Sequence, residues 1–306
     1  MKIAIVGIGA MGSVYAGLLA RGGHEVWGID TWAEHVAAIE RDGLRVEGAS
    51  GDARYPVHAT TDAANVGACD LVVVATKAAD VAAAARAAAA LLGPDTPVLT
   101  IQNGLGAVER LAAVVPRERI LVGVAGGFGA ALRGPGHAFH NGMELLRLGE
   151  ADGGGSARLE AVAAAWRDGG FNVRCYDDIN QLVWEKFICN VTFSGTCTVL
   201  GMTVGEVMTN DHAWQVALGC GLEAHAAGVA KGIAFSFDDA AAYIADFGAR
   251  IPGAQPSMLL DHLARRRSEI DAINGMVPVV AAEVGTAAPL NSAIAALVRA
   301  REAGFP

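Results

Sequence analysis

The sequence has little that would commit it to nucleic acid, membrane, metal or disulfide chemistry. Its 306 residues carry 23 basic side chains against 32 acidic ones, a net charge of −9. That excludes the basic footprint needed on a phosphate backbone or an anionic lipid surface. No uninterrupted apolar run is long enough to span a bilayer. The eight histidines form no HxxxH or HxH pair, and His137 and His140 would point to opposite faces of an expected strand. No metal site is therefore expected. The five cysteines (Cys69, Cys175, Cys189, Cys197 and Cys220) are odd in number and lack CxxC spacing. They read as buried small residues of a reducing compartment, the cytoplasm, and not as a disulfide framework. No internal repeat is evident. What remains is 53% hydrophobic and 18% charged, a globular chain with a sizeable core and enough length for two domains.

The N-terminus is the most informative stretch. Residues 2–6 (Lys-Ile-Ala-Ile-Val) read as a buried parallel strand, and Ala10 to Arg21 as a helix. Between them Gly7, Gly9 and Gly12 stand at GxGxxG spacing. Strand, glycine turn and helix together are the context of a dinucleotide site. Gly7 permits the tight turn, Gly9 lets the backbone approach a pyrophosphate, and Gly12 lets helix and strand pack closely. The first-turn amides of Ala10, Met11 and Gly12 then face the anion. Asp30 ends the next strand, 24–29, eighteen residues past Gly12, close to the roughly 20 residues expected for a ribose-binding acid. One lysine followed by an apolar run also has the start of a leader peptide, but three loop glycines and no convincing cleavage site argue against it.

Alternation of strand and helix continues through the first half. Strands are expected near 44–48, 54–58, 71–75, 98–102, 119–125, 137–149 and 171–175, with a hairpin among those of 119–125 and 137–149, and helices over 78–92 and 157–168. Thr31 and Glu34 are spaced as a capping box for the helix after Asp30. Beyond Asp178, a candidate N-cap, the pattern is helical, with one helix expected from Ser257 to about Asn274. The fold class is thus α/β: an N-terminal Rossmann-type doubly wound parallel sheet over 1–177, then an all-helical domain over 178–306.

The helix Trp184–Ser194 carries Lys186, Asn190 and Ser194 four apart, a polar stripe drifting about 40° per step. Such a stripe on an apolar helix is exposed, satisfied by a partner, or turned to a ligand. By spacing alone Lys186 also fits a surface residue whose stem lies along apolar neighbours. Asn103 and Lys77 each follow a parallel strand, where ligand crevices form; Asn103-Gly also suits a plain turn, and Lys77 a solvated helix start. Ser257 fits either carboxylate binding or N-capping. Glu269 fits either a site role or an i,i+4 pair with Arg265.

Taken together these residues resemble the ketopantoate reductase family. The resemblance rests on the Gly7/Gly9/Gly12 loop, Lys77, Gln-Asn103-Gly, Trp-Glu-Lys186-x-x-x-Asn190, Ser257-Met-Leu-x-Asp, Glu269-Ile-Asp-x-Ile-Asn-Gly275 and Gly285-x-x-x-Pro289-x-Asn291, in family order over nearly the whole chain. It implies a two-domain oxidoreductase with its active site between the domains, in which NAD(P)H reduces a small 2-oxo acid, 2-dehydropantoate by default. Lys186 would be the proton donor, and partial burial would make it a better acid than a free lysine of pKa about 10.4. Asn103 and Asn190 would orient the carbonyl and Lys186, Ser257 would bind the substrate carboxylate, and Glu269 would contact a substrate hydroxyl or the cofactor ribose. A homodimer through the helical domain is compatible with this reading.

Two departures bear on specificity. Ser194 stands where the family usually has a second asparagine, so the pocket could be roomier. Asp30 and Thr31 stand where NADPH-using members carry a basic residue, and no Lys or Arg occurs between them and Arg41. A carboxylate accepts from both ribose hydroxyls and repels a 2′-phosphate, which favours NADH. An NAD-dependent D-2-hydroxyacid dehydrogenase acting on another branched or aromatic 2-oxo acid is the alternative. A cofactor-binding module without turnover is a third reading, opposed by the presence of Lys186, Asn190, Ser257 and Glu269.

Overall fold

The computed structural model describes residues 1–127, 129–142 and 145–305. The chain forms two compact units. One comprises Met1–Gln102 with Ala107–Ile179, and the other Asn103–Gly106 with Asn180–Pro306. The short excursion at Asn103–Gly106 has no counterpart in the sequence reading.

The first unit runs β1 (Lys2–Val6), α1 (Ala10–Arg21), β2 (Glu25–Ile29), α2 (Ala33–Asp42), β3 (Leu44–Gly48), β4 (Ala53–Tyr55), β5 (His58–Thr60), β6 (Leu71–Val74), α3 (Val81–Ala89), β7 (Val98–Thr100), α4 (Ala107–Ala112), β8 (Ile120–Gly126), β9 (Gly129–Gly134), β10 (His137–Gly142), β11 (Leu145–Glu150), α5 (Ala157–Asp168) and β12 (Val173–Cys175). The main sheet has the order β12-β11-β8-β7-β6-β1-β2-β5. From β8 to β5 all pairs are parallel, and β11 runs antiparallel to β8. Its central strands, Ile-Ala-Ile-Val and Leu-Val-Val-Val, are buried on both faces, as a helix-covered parallel sheet requires.

A second sheet, β4-β3-β10-β9, was not foreseen. The segment 137–149, expected as strand with a hairpin in this region, is β10 in this second sheet and β11 in the main one, and the hairpin is β9–β10. The piece expected at 54–58 is likewise divided between β4 and β5. Helix α1 packs against both sheets. A Cβ at Gly17 would stand 2.7 Å from the Val46 side chain and 2.9 Å from Tyr55, so a glycine there admits the second sheet. On its other flank Tyr15 meets Trp166 edge-on at 5.0 Å, and Trp166 meets Phe171 at 4.7 Å, joining α1 to α5.

The second unit is helical: α6 (Ile179–Leu200), α7 (Val204–Thr209), α8 (Asp211–Ala230), α9 (Ala240–Arg250), α10 (Ser257–Leu263), α11 (Met276–Val284) and α12 (Pro289–Glu302). Among the described residues no strand follows β12. Helix α6 is buried on nearly every side from Phe187 to Thr198, which makes it the unit's central helix. Gly285 ends α11 in the left-handed conformation (φ 73°), and Pro289 occupies the first turn of α12.

The helix expected from Ser257 to Asn274 is a correction. It ends at Leu263, and Arg265 adopts φ 53°. The Arg266 N–H then returns to the Asp261 carbonyl at 2.8 Å, closing the helix end. A turn-rich segment leads from there to α11. The expected capping box at Thr31 is a second correction. The N-cap of α2 is Trp32, with no side-chain cap, and Asp30 Oδ1 instead accepts the Trp32 N–H at 3.0 Å.

Candidate functional site

In the first unit the glycines behave as the spacing requires. Gly7 has φ 92°, and a Cβ there would lie 2.6 Å from the Thr76 side chain. A Cβ at Gly12 would run into the Gly7 carbonyl oxygen. At Gly9 it would meet nothing within 4 Å, so the protein itself leaves that space. Gly9 is the N-cap of α1, its carbonyl accepts the Ser13 N–H at 2.9 Å, and no side chain caps the first turn. The amides of Ala10, Met11 and Gly12 lie in that turn, where an anion is favoured. Residues and backbone therefore fit a dinucleotide pyrophosphate.

Asp30 is half-buried at the end of β2. Its turn with Trp32 shows that the acid, and not Thr31, shapes the entry to α2. Oδ1 of Asp30 is thus committed to the Trp32 backbone N–H. Lys77 is exposed just past β6, opening the one-turn helix Ala78–Asp80. Gln102, not singled out from the sequence, ties this edge together. Its side chain accepts the Thr100 hydroxyl and donates to the carbonyls of Val74 (2.7 Å) and Thr76 (3.1 Å). A glutamine directly after a buried strand and before Asn-Gly was the available signal.

The remaining candidates all fall in the second unit. Lys186 and Asn190 are partly exposed on α6 between buried Trp184, Phe187, Ile188 and Val191. Ser194, the third member of the stripe, is only 4% exposed. Next to Lys186, the buried Glu185 accepts the Ser236 N–H at 2.8 Å and the Gln181 amide at 3.1 Å, which pins this turn of α6.

Backbone and side-chain hydrogen bonds connect the segments that bear the other candidates. The Leu105 N–H donates to the Ala272 carbonyl at 3.0 Å, and a Cβ at Gly104 (φ 83°) would strike the same carbonyl. The loop carrying Asn103 is thereby docked on the segment carrying Glu269. Asn274 of that segment donates to the Val191 carbonyl at 2.8 Å, next to Asn190. Asn274 also donates to Asn291 Oδ1 at 2.9 Å, and Asn291 in turn donates to the Cys220 carbonyl and Glu223.

Ser257 is the first residue of α10, exposed, while Pro256 is the N-cap, so simple N-capping by Ser257 is not observed. Glu269, half-buried, lies in the turn segment beyond the helix end. The alternative of an i,i+4 helical pair with Arg265 falls with the helix. Arg265 donates instead to the Gly304 carbonyl at 2.8 Å and lies over Phe305. The segment is anchored by Glu302, which accepts from His262 Nε2 (3.1 Å), the Ser268 N–H (2.8 Å) and the Ser268 hydroxyl (2.6 Å). Among the described residues no group of His, Cys, Asp and Glu could hold a metal ion. No helix among them is long and apolar enough to cross a membrane.

Comparison with known proteins matches this arrangement over nearly the whole chain. Residues 3–153 match the model for ketopantoate reductase PanE/ApbA, and residues 178–302 match the model for the C-terminal part of the same protein. A 2-dehydropantoate 2-reductase of Halobacterium salinarum is 32% identical over 303 residues, 98% of each chain. The crystal structure of a PanE/ApbA family ketopantoate reductase from Ralstonia eutropha JMP134 superposes with a TM-score of 0.90 at 31% identity, covering 99% of both chains. A D-mandelate dehydrogenase bound to NADH and anilino(oxo)acetate superposes with a TM-score of 0.88 at 28% identity, covering 99% of this chain and 98% of that one. With both family models matched in order, and the glycine loop and the α6 stripe in place, the chain belongs to the ketopantoate reductase family.

Proposed function

We propose that this protein is a 2-dehydropantoate 2-reductase, reducing the 2-oxo acid to D-pantoate with NADH in preference to NADPH. Residues 1–177 act as the dinucleotide-binding domain and 178–306 as the substrate and catalytic domain. The observation that carries the reading is the pair Lys186 and Asn190. They are the partly exposed polar residues on a helix otherwise buried at that level, and the segments bearing Asn103 and Glu269 are hydrogen-bonded to each other and to α6.

When bound, the reduced nicotinamide supplies the hydride. The Lys186 ammonium stabilises the charge growing on the carbonyl oxygen and then donates the proton that completes the alcohol. Asn190 lies one turn along the same helix face and orients that oxygen, with Asn103 assisting. Ser257 donates its hydroxyl to the substrate carboxylate, and Glu269 accepts from a substrate hydroxyl or the ribose. Asp30 supports NADH, because a fixed carboxylate accepts ribose hydroxyls and repels a 2′-phosphate. Lys77 and the glycine loop complete cofactor binding. A homodimer through the helical unit fits this reading, since Leu222 and Val229, two turns apart on α8, and Val279 on α11 are exposed apolar residues.

Ser194 favours a second reading. A buried serine in place of an amide leaves space and fewer hydrogen-bonding groups, as a bulkier 2-oxo acid would need. The likeness to a D-mandelate dehydrogenase supports the same direction. Purified protein assayed with NADH or NADPH and a panel of 2-oxo acids decides between them. Turnover of 2-dehydropantoate is expected. Turnover confined to aryl 2-oxo acids overturns the first reading, and a strong NADPH preference overturns the role of Asp30.

A further inference from the structure

The glycine loop rests on a buried relay that no site residue accounts for. Ser13 and His35 are both fully buried. The Ser13 hydroxyl donates to the Ile8 carbonyl at 2.7 Å. A hydroxyl has one proton, so towards His35 Nε2, 3.3 Å away, Ser13 accepts. His35 Nδ1 accepts the Gly136 N–H at 3.0 Å. All three bonds form together only when His35 is neutral with its proton on Nε2. Gly136 belongs to the turn between β9 and β10, and its own carbonyl accepts the Arg45 N–H at 2.9 Å. The relay thus starts in the second sheet and ends in the loop. The Trp32 ring lies parallel to His35, 5.1 Å between centroids, and the Trp32 backbone N–H is the one held by Asp30.

The consequence follows from peptide geometry. The Ile8 carbonyl and the Gly9 N–H share one planar trans peptide and point in opposite directions. Drawing the carbonyl inward onto Ser13 turns the Gly9 N–H outward, at the residue where an added Cβ would meet nothing within 4 Å. We propose that Ser13 and His35 are positioning residues of the dinucleotide site, a relay from the hairpin turn of the second sheet that aims the Gly9 amide at the cofactor pyrophosphate. The proposal rests on the dinucleotide reading of the loop.

The test is NADH binding, followed by fluorescence titration, with melting of the free protein measured alongside. The variants are Ser13→Ala, His35→Gln, His35→Leu and the double variant Ser13→Ala/His35→Leu. Ser13→Ala is expected to raise the NADH Kd about tenfold, the worth of one well-aimed hydrogen bond to an anion, and by more than kcat at saturating NADH falls. The melting temperature drops as well, because the Ile8 carbonyl and His35 Nε2 lose a buried partner, so binding is read well below the melting transition. His35→Gln, which keeps an N–H near the Nε2 position, is expected to recover most of the affinity lost in His35→Leu. The double variant is expected to bind no more weakly than Ser13→Ala alone, because the two residues act in series. A Kd for Ser13→Ala within twofold of the parent overturns the proposal, as does additivity in the double variant. If His35→Leu fails to fold, Ser13→Ala and His35→Gln decide alone. A parent protein that binds neither NADH nor NADPH overturns the dinucleotide reading itself, and the relay with it.

Discussion

Lys186 is one of four lysines in the chain. Lys2 donates to the Val66 carbonyl at 2.6 Å and Lys231 pairs with Glu283 at 3.2 Å. The other two, Lys77 and Lys186, stand at the positions the sequence singled out. Lys186→Ala is expected to lower kcat by about 10²–10⁴ with the fold intact, as loss of a general acid does. Steady-state kinetics beside circular dichroism checks this. Three histidines make stability fall on acidification. Burial holds the pKa values of His35, His140 and His225 below the ordinary value, and at His35 this outweighs the upward pull of Asp30. The unfolded chain therefore takes up protons first as pH falls. The stability these groups contribute is complete above about pH 6.5 and is lost as pH drops from there towards their folded values. Denaturant midpoints between pH 7 and pH 5 measure the loss, which His35→Gln reduces.

At the level of elements, the α6 stripe was legible because helical period places Lys186, Asn190 and Ser194 on one face whatever surrounds them. What the period does not carry is depth: Ser194 is buried while Lys186 and Asn190 are not, because the helix passes through the centre of its unit. Helix α10 was read too long for a related reason. Nothing in Arg265-Arg-Arg forbids a helix. The break comes from the distant partners that claim the segment, namely Gly304, Phe305 and Glu302. Glu302 sits in the last turn of α12, where the helix dipole disfavours an acid, and its three donors offset that. Glu302→Ala strands His262 and Ser268 in a buried setting and is expected to cost about 3 kcal/mol. Because the segment it anchors carries Glu269, KM for the 2-oxo acid should rise more than kcat falls. Urea unfolding and steady-state kinetics together test both effects.

Across the whole molecule, all five cysteines are unpaired. Burial pushes the thiols of Cys189, Cys197 and Cys220 up to about 12, and that of Cys175 to about 11. Thiolate is then scarce at neutral pH, so an aromatic disulfide reagent should react with these four only as the chain unfolds, and release five equivalents in denaturant. Rapid reaction of several thiols in the native protein would contradict the packing described. The opening strand–loop–helix–strand unit, the glycine loop and the acid at Asp30 were determined by the sequence itself. Each depends on local chemistry: φ values open only to glycine, apolar runs of strand length, and fixed spacing along a helix. The tertiary structure decided the rest. It built the second sheet, placed the Asn103 loop on Ala272, ended α10 at Leu263 and set the His35 relay beneath the loop. Each of these is a hydrogen bond or close contact between residues far apart in the chain, whose partners are chosen by packing and carry no local pattern.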